Sequence, residues 1–514
     1  MLNIIIICDF NKNSGFGHIT RMKSLTNSFN KNLYNVKFIF ENQYKKFNEK
    51  YLIGYNREYV NFKLKKDHKK LINYLRNNSS DIIIVDSYFF NHLVEEKVYE
   101  KFFLVSFDDK LLKHKSHLVI NSREDIDSSD FSKKGQIWKT GKKYILIGKT
   151  FKNRRNNKNI KKILIHGGGT SSYKHFSIFL YETFKYLNKK DVNISILCKD
   201  ENAQNIIKKK IFKLRLLQNH IHFIKFKKNL SESLKNYDLV VGPSGITTYE
   251  SIAAGVLPLS FPLINDGRDS NLNWGLMGNL LHLKYNEKNN IKIIHEIWDF
   301  IFKKYEFLKS NIDKHAKLIK DNSNTISQTI IKFYFNKEKK TFNSDESKYK
   351  LKISKAGNEF VRTFLESRNS PIVRKISSNP NHIISFSEHL NWWTNKSIKK
   401  FVLLENNKTP LAYHWIRSIK TNGNIPMIVS GWFPDKKNKN VLNSSKIILE
   451  HQKMYIKKNY KGSKWIININ KKNLFSLRLN KSIGFVKTRG NSKKIAKSIF
   501  KIDLSKFNIF EMRI

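Results

Sequence analysis

Short apolar runs alternate with helix-length segments along the first two thirds of the chain. The runs of the first half are residues 3–8, 81–86, 102–107 and 117–120. The alternation then restarts, with runs at residues 162–165, 193–198, 222–226, 238–241 and 257–261. Buried strands separated by helices are typical of parallel, doubly wound α/β sheets. The pattern predicts two successive halves, residues 1–155 and 156–335, with a ligand crevice at the carboxyl ends of their strands.

The pattern changes after residue 335. Residues 336–352 are largely polar and charged and are interpreted as a linker. Beyond them, two strand-like runs predict a hairpin around Asn406, Asn407 and Lys408, and two more enclose a helix. These runs are residues 401–405, 411–419, 427–433 and 464–470, with the helix at about residues 444–458. Antiparallel strands with a helix between the last two predict a third domain of the α+β class, residues 353–514.

The composition supports a folded chain of several domains. It has 514 residues, 40% hydrophobic and 13% aromatic, and about 150 residues per domain indicates three domains. No run approaches the roughly 18 apolar residues of a spanning helix, and the first run is too short for the core of a signal peptide. Cys8 and Cys198 fall in apolar runs, which indicates neither a disulfide framework nor a zinc site. We expect a soluble, cytoplasmic protein.

The net charge is extreme but weakly informative. Lys and Arg number 96 against 42 Asp and Glu, a formal charge of +54. One interpretation is a polyanionic partner, because neutralising phosphates drives non-specific nucleic-acid binding. The lysines are spread along the whole chain, however, among abundant Asn and Ile, as AT-rich codons would produce. No basic stripe with interleaved aromatics is present, so we expect no specific nucleic-acid partner.

A histidine preceded by glycines lies between the first predicted strand and a helix predicted from about Ile19. The sequence there is Ser14-Gly15-Phe16-Gly17-His18-Ile19-Thr20-Arg21. Glycines let a backbone approach a ligand closely, and a helix N-terminus favours negative charge. An imidazole held on that turn suits a general base. The alternative is a histidine at a helix start that only hydrogen bonds to its own loop.

Three further segments follow predicted strands of the second half. Gly167-Gly168-Gly169-Thr170-Ser171-Ser172 offers amides and hydroxyls to a diphosphate, or is an ordinary tight turn. The segment 242–250 offers further amides, with Glu250 placed to accept the two hydroxyls of a ribose. The alternative for Glu250 is a capping box with Thr247, whose spacing it has. Residues 262–273 are rich in Gly, Asp and Asn and suit a sugar, or form an ordinary polar loop.

Taken in order, the motifs of residues 1–335 resemble those of one enzyme family. They are Gly-Phe-Gly-His-x-x-Arg near the start, Asp-x-x-x-x-Asp-x-Tyr at 81–88, Phe-Asp-Asp at 107–109, the glycine-rich turn, Asn-Leu-Ser-Glu-Ser-Leu at 229–234, and Ser-Gly-x-Thr-Thr-x-Glu before the Asn-bearing loop. The family is the UDP-2,4-diacetamido-2,4,6-trideoxy-β-L-altropyranose hydrolases of pseudaminic acid synthesis. It is related to spore-coat polysaccharide proteins and, more distantly, to the GT-B glycosyltransferases that make peptidoglycan lipid.

The resemblance implies a GT-B fold in which water attacks the anomeric carbon, UDP leaves and the configuration inverts. It implies His18 as the base, Gly15, Gly17, Arg21, Tyr88 and Asn271 as substrate-binding residues, and Gly168, Gly169, Ser244, Gly245, Thr248 and Glu250 as UDP-binding residues. UDP leaves readily once amides bind its charge, so no metal and no cofactor is expected for hydrolysis.

Two positions depart from the family pattern. A basic residue is usual in the loop after the first strand, where this chain has Cys8-Asp9-Phe10. The usual Asn-Gln pair is here Asn271-Leu272, and Asn273 follows closely. These differences weaken the assignment of the exact sugar more than that of a fold that binds a UDP-sugar.

The last domain resembles the GCN5-related N-acetyltransferases. Asn473-x-x-Ser476-x-x-Leu479-Asn480-x-x-x-Gly484-Phe485 is similar to the last helix and turn of that family. The resemblance implies that Asn473 and Ser476 contact acetyl-CoA, the co-substrate. Ser385-x-Ser387-Glu388-His389-x-x-Trp392-Trp393 looks like acetyltransferases acting at C4 of amino sugars, and implies Glu388 or His389 as acceptor of an amine proton.

Other interpretations of this domain stay open. The proton-donor tyrosine of the family falls on Asn480, and residues 434–445 hold no glycine to wrap a diphosphate. Trp392 and Trp393 could pack a core, with His389 on a helix surface. The domain is therefore an active acetyltransferase, a degenerate acetyltransferase or a scaffold.

The sequence thus predicts a fusion of two enzymes. One hydrolyses a UDP-linked 2,4-diacetamido-2,4,6-trideoxy sugar, and the other acetylates its 4-amino precursor, with the tether raising the effective concentration of the shared intermediate. Two other hypotheses remain: a GT-B glycosyltransferase that passes the sugar from UDP to an acceptor, and a basic, non-catalytic binding protein.

Overall fold

The computed structural model divides the chain into two compact units, Met1–Ser344 and Asp345–Ile514. The residues described are 1–10, 16–88, 90, 92–109, 111–124, 136–148, 158–168, 173–198, 201–212, 220–225, 230–263, 265, 271–336, 351–377, 379–405, 409–419, 426–438, 441–488, 490–500 and 502–514. Within them, every helix is too short or too polar to pass through a lipid bilayer.

The first unit begins with a seven-stranded parallel sheet, ordered β3-β2-β1-β4-β5-β6-β7. Its strands are β1 (Leu2–Cys8), β2 (Tyr34–Glu41), β3 (Arg57–Val60), β4 (Ile82–Asp86), β5 (Phe103–Phe107), β6 (Leu118–Asn121) and β7 (Ile137–Thr140). The helices between them are α1 (Gly17–Asn27), α2 (Lys45–Asn48), α3 (His68–Asn77) and α4 (His92–Tyr99). Strands β4 and β5 are buried throughout, as their unbroken apolar runs predict. The strand order reverses between β1 and β4, so the segments that follow these strands border a crevice.

A five-stranded parallel sheet follows, ordered β10-β9-β8-β11-β12. Its strands are β8 (Lys162–His166), β9 (Asn193–Cys198), β10 (Ile221–Lys225), β11 (Leu239–Pro243) and β12 (Leu257–Phe261). The helices here are α5 (Ser177–Leu187), α6 (Glu201–Phe212), α7 (Leu230–Leu234), α8 (Ile246–Ala253), α9 (Asn271–Leu276), α10 (Ile291–Lys303) and α11 (Tyr305–Ala316). The order reverses between β8 and β11, the strands that precede the glycine-rich turn and Ser244. The prediction of two parallel, doubly wound sheets is confirmed.

The last helix of the first unit, α12 (Ser323–Phe335), returns to the first sheet. Ile326 and Ile330 are fully buried in the apolar core that α1 shares with that sheet. The Ser28 hydroxyl, at the end of α1, donates to the Ser323 carbonyl at 3.1 Å. The chain of the second half is therefore anchored on the first half, which makes the two sheets one compact unit.

The second unit is built on a mixed sheet, ordered β13-β14-β15-β16-β17-β19-β18. Its strands are β13 (Leu351–Lys355), β14 (Ile398–Glu405), β15 (Thr409–Ile419), β16 (Met427–Pro434), β17 (Lys464–Asn470), β18 (Val486–Lys487) and β19 (Phe507–Arg513). The helices are α13 (Val361–Arg368), α14 (Pro371–Lys375), α15 (Phe386–Trp393), α16 (Val441–Asn459), α17 (Leu474–Ser482) and α18 (Gly490–Phe500). Strands β16 and β17 are parallel and pair only from Met427 with Lys464 to Val429 with Ile466, after which they separate.

Several sequence-based expectations for the last third are corrected. Strands β16 and β17 are parallel rather than antiparallel, because α16 connects them as a crossover. Residues 351–352 belong to β13 and not to the linker, and residues 337–350 of that linker lie outside the described part. The predicted hairpin pairing of β14 with β15 is confirmed, although its turn at 406–408 also lies outside. Helix α16 begins at Val441, so the last five residues of the glycine-free segment 434–445 are helical.

Candidate active site

A cavity of about 200 Å³ lies in the first unit, where strands of both sheets end. The first half contributes a polar wall that includes His18, Arg21, Tyr88, Asp108, Asp109 and Arg123. The second half contributes Ser244, Gly245, Ile246, Tyr249 and Trp274. The predicted base and part of the predicted UDP corner therefore line one cavity.

A buried carboxylate holds His18. Helix α1 begins at Gly17, so His18 lies in its first turn and is only 5% exposed. Its Nδ1 is 2.8 Å from Oδ1 of Asp86, the last residue of the neighbouring strand β4. Burial alone would raise the pKa of Asp86, but the charges of Arg21 and His18 outweigh it and lower the pKa to about 2. Because Asp86 is ionised, Nδ1 is the proton donor of this bond.

Among the described residues, none makes a polar contact with Nε2, the second ring nitrogen of His18. Within the described part of the chain, the polar contacts of His18 all involve Nδ1. In the neutral ring the lone pair therefore lies on Nε2, and the ring lines the cavity. Tyr88 packs edge-on against it, with ring centroids 4.6 Å apart. An imidazole oriented in this way can accept a proton from a water molecule.

Arg21, one turn further along α1, neutralises the buried acid. Its Nε donates to Oδ2 of Asp86 at 2.5 Å, and its Nη2 donates to the other oxygen of that carboxylate. Its Nη1 donates to Asp109 at 3.2 Å. Burial would lower the pKa of Arg21, but the two carboxylates outweigh it and raise the pKa above its ordinary value. Arg21 therefore lines the cavity with its guanidinium already committed to two acids.

Two further carboxylates hold Tyr88 at both ends. Asp9 accepts the backbone N–H of Tyr88 at 3.1 Å, and Asp109 accepts its hydroxyl proton at 2.8 Å. Lys65 lies 2.5 Å from Asp9 and compensates its charge. Asp9 directly follows β1, and by accepting the N–H of Tyr88 it fixes the chain after β4.

Sequence reasoning did not select Asp9, Asp86 or Asp109 as site residues. Asp86 and Asp109 do fall within the quoted motifs at 81–88 and 107–109, Asp86 as the last residue of β4 and Asp109 two residues after β5. Acidic side chains at the carboxyl ends of neighbouring parallel strands were the signal that could have found them.

The predicted UDP corner lies at the start of α8. Ser244 and Gly245 precede this helix, which begins at Ile246, and all three residues line the cavity. The unpaired amides of a helix N-terminus favour an anion such as phosphate. The Ser244 N–H donates to the Phe261 carbonyl at 2.8 Å, which fixes the corner on β12. Thr248 is buried at 2% exposure and its N–H donates to the Gly245 carbonyl at 3.1 Å.

Glu250 lies in the protein interior, 6% exposed. Burial raises its pKa to about 7, against a smaller opposing effect of a hydrogen bond with the backbone of Gly148. Helix α8 has Gly245 as its N-cap and no side-chain cap, so the capping box of Thr247 and Glu250 does not form. Glu250 is not among the described residues that line the cavity, and its contact with ribose stays a prediction.

The other predicted residues of this unit are placed less directly. Gly17 lines the cavity, whereas Gly15 and Gly169 lie outside the described residues. The predicted loop 262–273 ends earlier than expected, because residues 271–273 form the start of α9; the side chain of Asn271 is outside the described part. Lys288, which sequence reasoning missed, is fully buried, and its Nζ donates to the carbonyls that begin this loop, Pro262 at 3.2 Å and Leu263 at 2.7 Å.

The second unit has its own cavity, of about 400 Å³, where β16 and β17 separate. Asn473, Ser476 and Asn480 line it. Asn473 also caps α17, accepting the Ser476 N–H at 3.0 Å. The Asn480 amide donates to the Ser476 carbonyl at 2.8 Å.

Glu388 and His389 are not among the described residues that line this second cavity. Glu388 is exposed and pairs with His382 at 2.9 Å. His389 is 3% exposed, and burial lowers its pKa to about 3. The interpretation that places His389 on a helix surface is therefore wrong, because its ring stacks on Phe364 inside the unit. Trp393 is buried beside it.

Comparison with known proteins finds similar solved structures at low sequence identity. No protein-family model and no curated protein matches the chain. The solved structures that match include MurG of Acinetobacter baumannii, at 11% identity over 65% of this chain and 100% of that one, TM-score 0.48. A glycosyltransferase of Rickettsia africae matches at 13% identity over 66% and 99%, TM-score 0.47. Anabaena Alr3699/HepE, solved with UDP and glucose, matches at 14% identity over 65% and 99%, TM-score 0.44.

No group of three or more His, Cys, Asp or Glu side chains in the described ranges is arranged to hold a metal ion.

We expect Asp86→Asn to lose stability that depends on an ionised carboxylate. A pKa lowered from 3.8 to about 2 stabilises the folded protein above pH 4, and this contribution disappears as the pH falls through 2. The shift corresponds to about 2 kcal/mol. Denaturant unfolding should show the gap between wild type and variant shrinking by that amount from pH 7 to pH 2. Asp191→Asn, which removes an exposed ion pair, is the control. If the difference in unfolding free energy between wild type and Asp86→Asn does not change with pH, the assignment of an ionised Asp86 is contradicted.

For Glu250→Gln we expect a pH dependence of stability opposite to that of Asp86→Asn, because the pKa of Glu250 is raised. A carboxyl group whose pKa is raised from 4.5 to about 7 stabilises the folded protein below pH 4.5, and that stability is lost as the pH rises through 7. The amide of Gln does not ionise, so the variant should gain roughly 3 kcal/mol relative to wild type between pH 4.5 and pH 8. Thermal unfolding across this range measures the gain, and equal pH dependence of the two proteins would contradict a buried, neutral Glu250.

Proposed function

We propose that the first unit hydrolyses a UDP-sugar by direct attack of water. The observation that carries the proposal is the Nδ1 contact of His18 with the buried, ionised Asp86 beside a polar cavity. In this arrangement Nε2 accepts a proton while the water oxygen forms a bond to the anomeric carbon. The bond from that carbon to the diphosphate oxygen breaks, UDP takes the electron pair, and the configuration inverts.

This step creates positive charge on the imidazole of His18 and negative charge on the departing diphosphate, and the cavity stabilises both. The imidazolium formed on His18 lies against Asp86, as in other histidine–carboxylate pairs. Ser244 and Gly245 bring the N-terminus of α8 to the cavity, which suits the negative charge that develops on the departing diphosphate. One base and a preorganised anion site are then sufficient, because UDP needs no proton to leave.

We propose a 2,4-diacetamido-2,4,6-trideoxy sugar as the group that UDP carries, within pseudaminic acid synthesis. The support is the order of motifs in residues 1–335 together with Tyr88, which the resemblance assigns to the sugar and which lines the cavity. The cavity also combines Asp108 and Asp109 with the rings of Tyr249 and Trp274. Polar groups among aromatic surfaces suit a sugar that bears amides and a methyl group.

For the second unit we propose acetyl transfer from acetyl-CoA to the 4-amino precursor of that sugar. The supporting observation is the separation of β16 from β17 after three residue pairs, with Asn473 and Ser476 on the cavity between them. The two reactions are consecutive, so one chain would carry out both. Because neither Glu388 nor His389 is among the described residues that line this cavity, we assign the amine proton to neither of them.

His18→Ala should abolish hydrolysis and leave the affinity for UDP within about threefold of wild type, since the base acts on water in the transition state. UDP release from the UDP-sugar gives the rate, and calorimetric titration with UDP gives the affinity. His175→Ala, at an exposed histidine of the same unit, is the matched control and should keep full activity. Wild-type turnover in His18→Ala would refute the role of the base.

The glycosyltransferase alternative uses the same cavity and differs in its acceptor. A hydrolase should release UDP from purified protein and the UDP-sugar alone, with free sugar in equal amount by mass spectrometry. Release that requires a second sugar would identify a transferase instead. A non-catalytic basic protein would show neither release nor a thermal shift with UDP, and would stay on heparin at high salt.

A further inference from the structure

His166 is a buried histidine at the carboxyl end of β8, 4% exposed. The proposed hydrolysis gives it no role. Strand β8 is one of the two strands between which the order of the second sheet reverses. The chain that follows it is the glycine-rich segment predicted to hold a diphosphate.

One edge of the His166 ring fixes the start of that segment. Its Nδ1 accepts the N–H of Gly168 at 3.2 Å. Gly168 has a φ of +73°, a left-handed conformation that favours glycine. The bond therefore closes a tight turn directly after the strand. Because the Gly168 N–H donates to the imidazole, it is not directed at a ligand. Gly168 would instead allow a ligand to approach the backbone closely, since it has no side chain.

The other edge of the ring lies against Gly242 in the neighbouring strand β11. A Cβ atom on Gly242 would overlap Nε2 of His166, so only glycine leaves room for the ring. Gly242 is two residues before Ser244, which begins the corner that lines the cavity. One side chain thus contacts both strands whose following segments are predicted to bind UDP.

The ring is suited to this position only when neutral. Because Nδ1 accepts from Gly168, the single ring proton lies on Nε2. Burial lowers the pKa of His166 to about 4, which keeps the ring neutral at physiological pH. A protonated ring would carry hydrogen on both nitrogens and would lose the bond with the amide.

We infer that His166 is a positioning residue for a nucleoside diphosphate. It holds Gly168, near the start of the glycine-rich segment, in register with the Ser244–Gly245 corner. The inference rests on the proposed function, since it takes this corner as the site of the diphosphate. It assigns His166 no contact with the reacting atoms.

Two substitutions separate this role from simple packing. In His166→Asn, the side-chain oxygen has the same number of bonds from the backbone as Nδ1 and can still accept the Gly168 N–H, although the ring is lost. In His166→Phe, a ring of similar size stays against Gly242, and the acceptor is lost. A hydrogen-bond role predicts that Asn is tolerated and Phe is not, whereas a packing role predicts the reverse order.

The experiment is calorimetric titration of the full chain with UDP, with thermal unfolding to establish that each variant is folded. We expect His166→Asn to bind UDP within about threefold of wild type and His166→Phe about tenfold more weakly, in line with the loss of one buried hydrogen bond. Gly242→Ala, which forces the ring away, should resemble His166→Phe. If wild type binds UDP and His166→Phe binds equally well or better, the inference is overturned alone. If folded wild type binds no UDP, the proposed function is overturned with it.

Discussion

The ion pair of Asp86 with Arg21 is the interaction on which the candidate site depends. Asp86 is fully buried at the end of a central strand, where an unpaired carboxylate would be too costly to stay ionised. Arg21 pairs with both of its oxygens and makes the charge tolerable. The ionised oxygen then fixes the proton of His18 on Nδ1, leaving Nε2 as a base. Since β1 and β4 are neighbours in the sheet, the parallel topology itself brings the first turn of α1 to the end of β4.

Each sheet has a buried histidine at or beyond the end of a strand where the strand order reverses, and the two imidazoles differ in the hydrogen bond made by Nδ1. His18 follows β1 and His166 ends β8, and each strand lies where the order of its sheet reverses. His18 has a carboxylate on Nδ1, which makes that nitrogen a donor, whereas Nδ1 of His166 accepts an amide. The partner of one ring atom therefore decides whether the imidazole is a proton acceptor for a substrate or a neutral support for the backbone. In the proposed reaction, the first half supplies the base and the second half supplies the rigid anion site.

The sequence patterns predicted the parallel sheets, but they did not predict the ion pairs that Asp86 and Asp109 form beside His18. Strands β9, β12 and β17 have the predicted bounds, because each coincides with a short run rich in apolar residues. Strand β2 was missed, since its first half is partly exposed and its pattern is mixed. His18 was identified from its glycine-bearing turn. Its partner Asp86 was not selected, because Arg21 meets Asp86 across 65 residues and Asp109 across 88, and no local pattern shows which acids at strand ends contact His18 and Arg21. The burial of Glu250 and His389 likewise follows from packing that no local pattern shows.

Water attack at the anomeric carbon is the central claim, and the fate of the water oxygen tests it most directly. The reaction would be run in water enriched in the heavy oxygen isotope, with the UDP-sugar as the sole substrate, and both products would be analysed by mass spectrometry. Attack at carbon predicts one heavy oxygen in the free sugar and none in UDP, in proportion to turnover. Heavy oxygen in UDP would place the cleavage at phosphorus, and the absence of any free sugar from active, folded protein would show that water is not the nucleophile. Either result would contradict the proposed roles of His18 and Asp86.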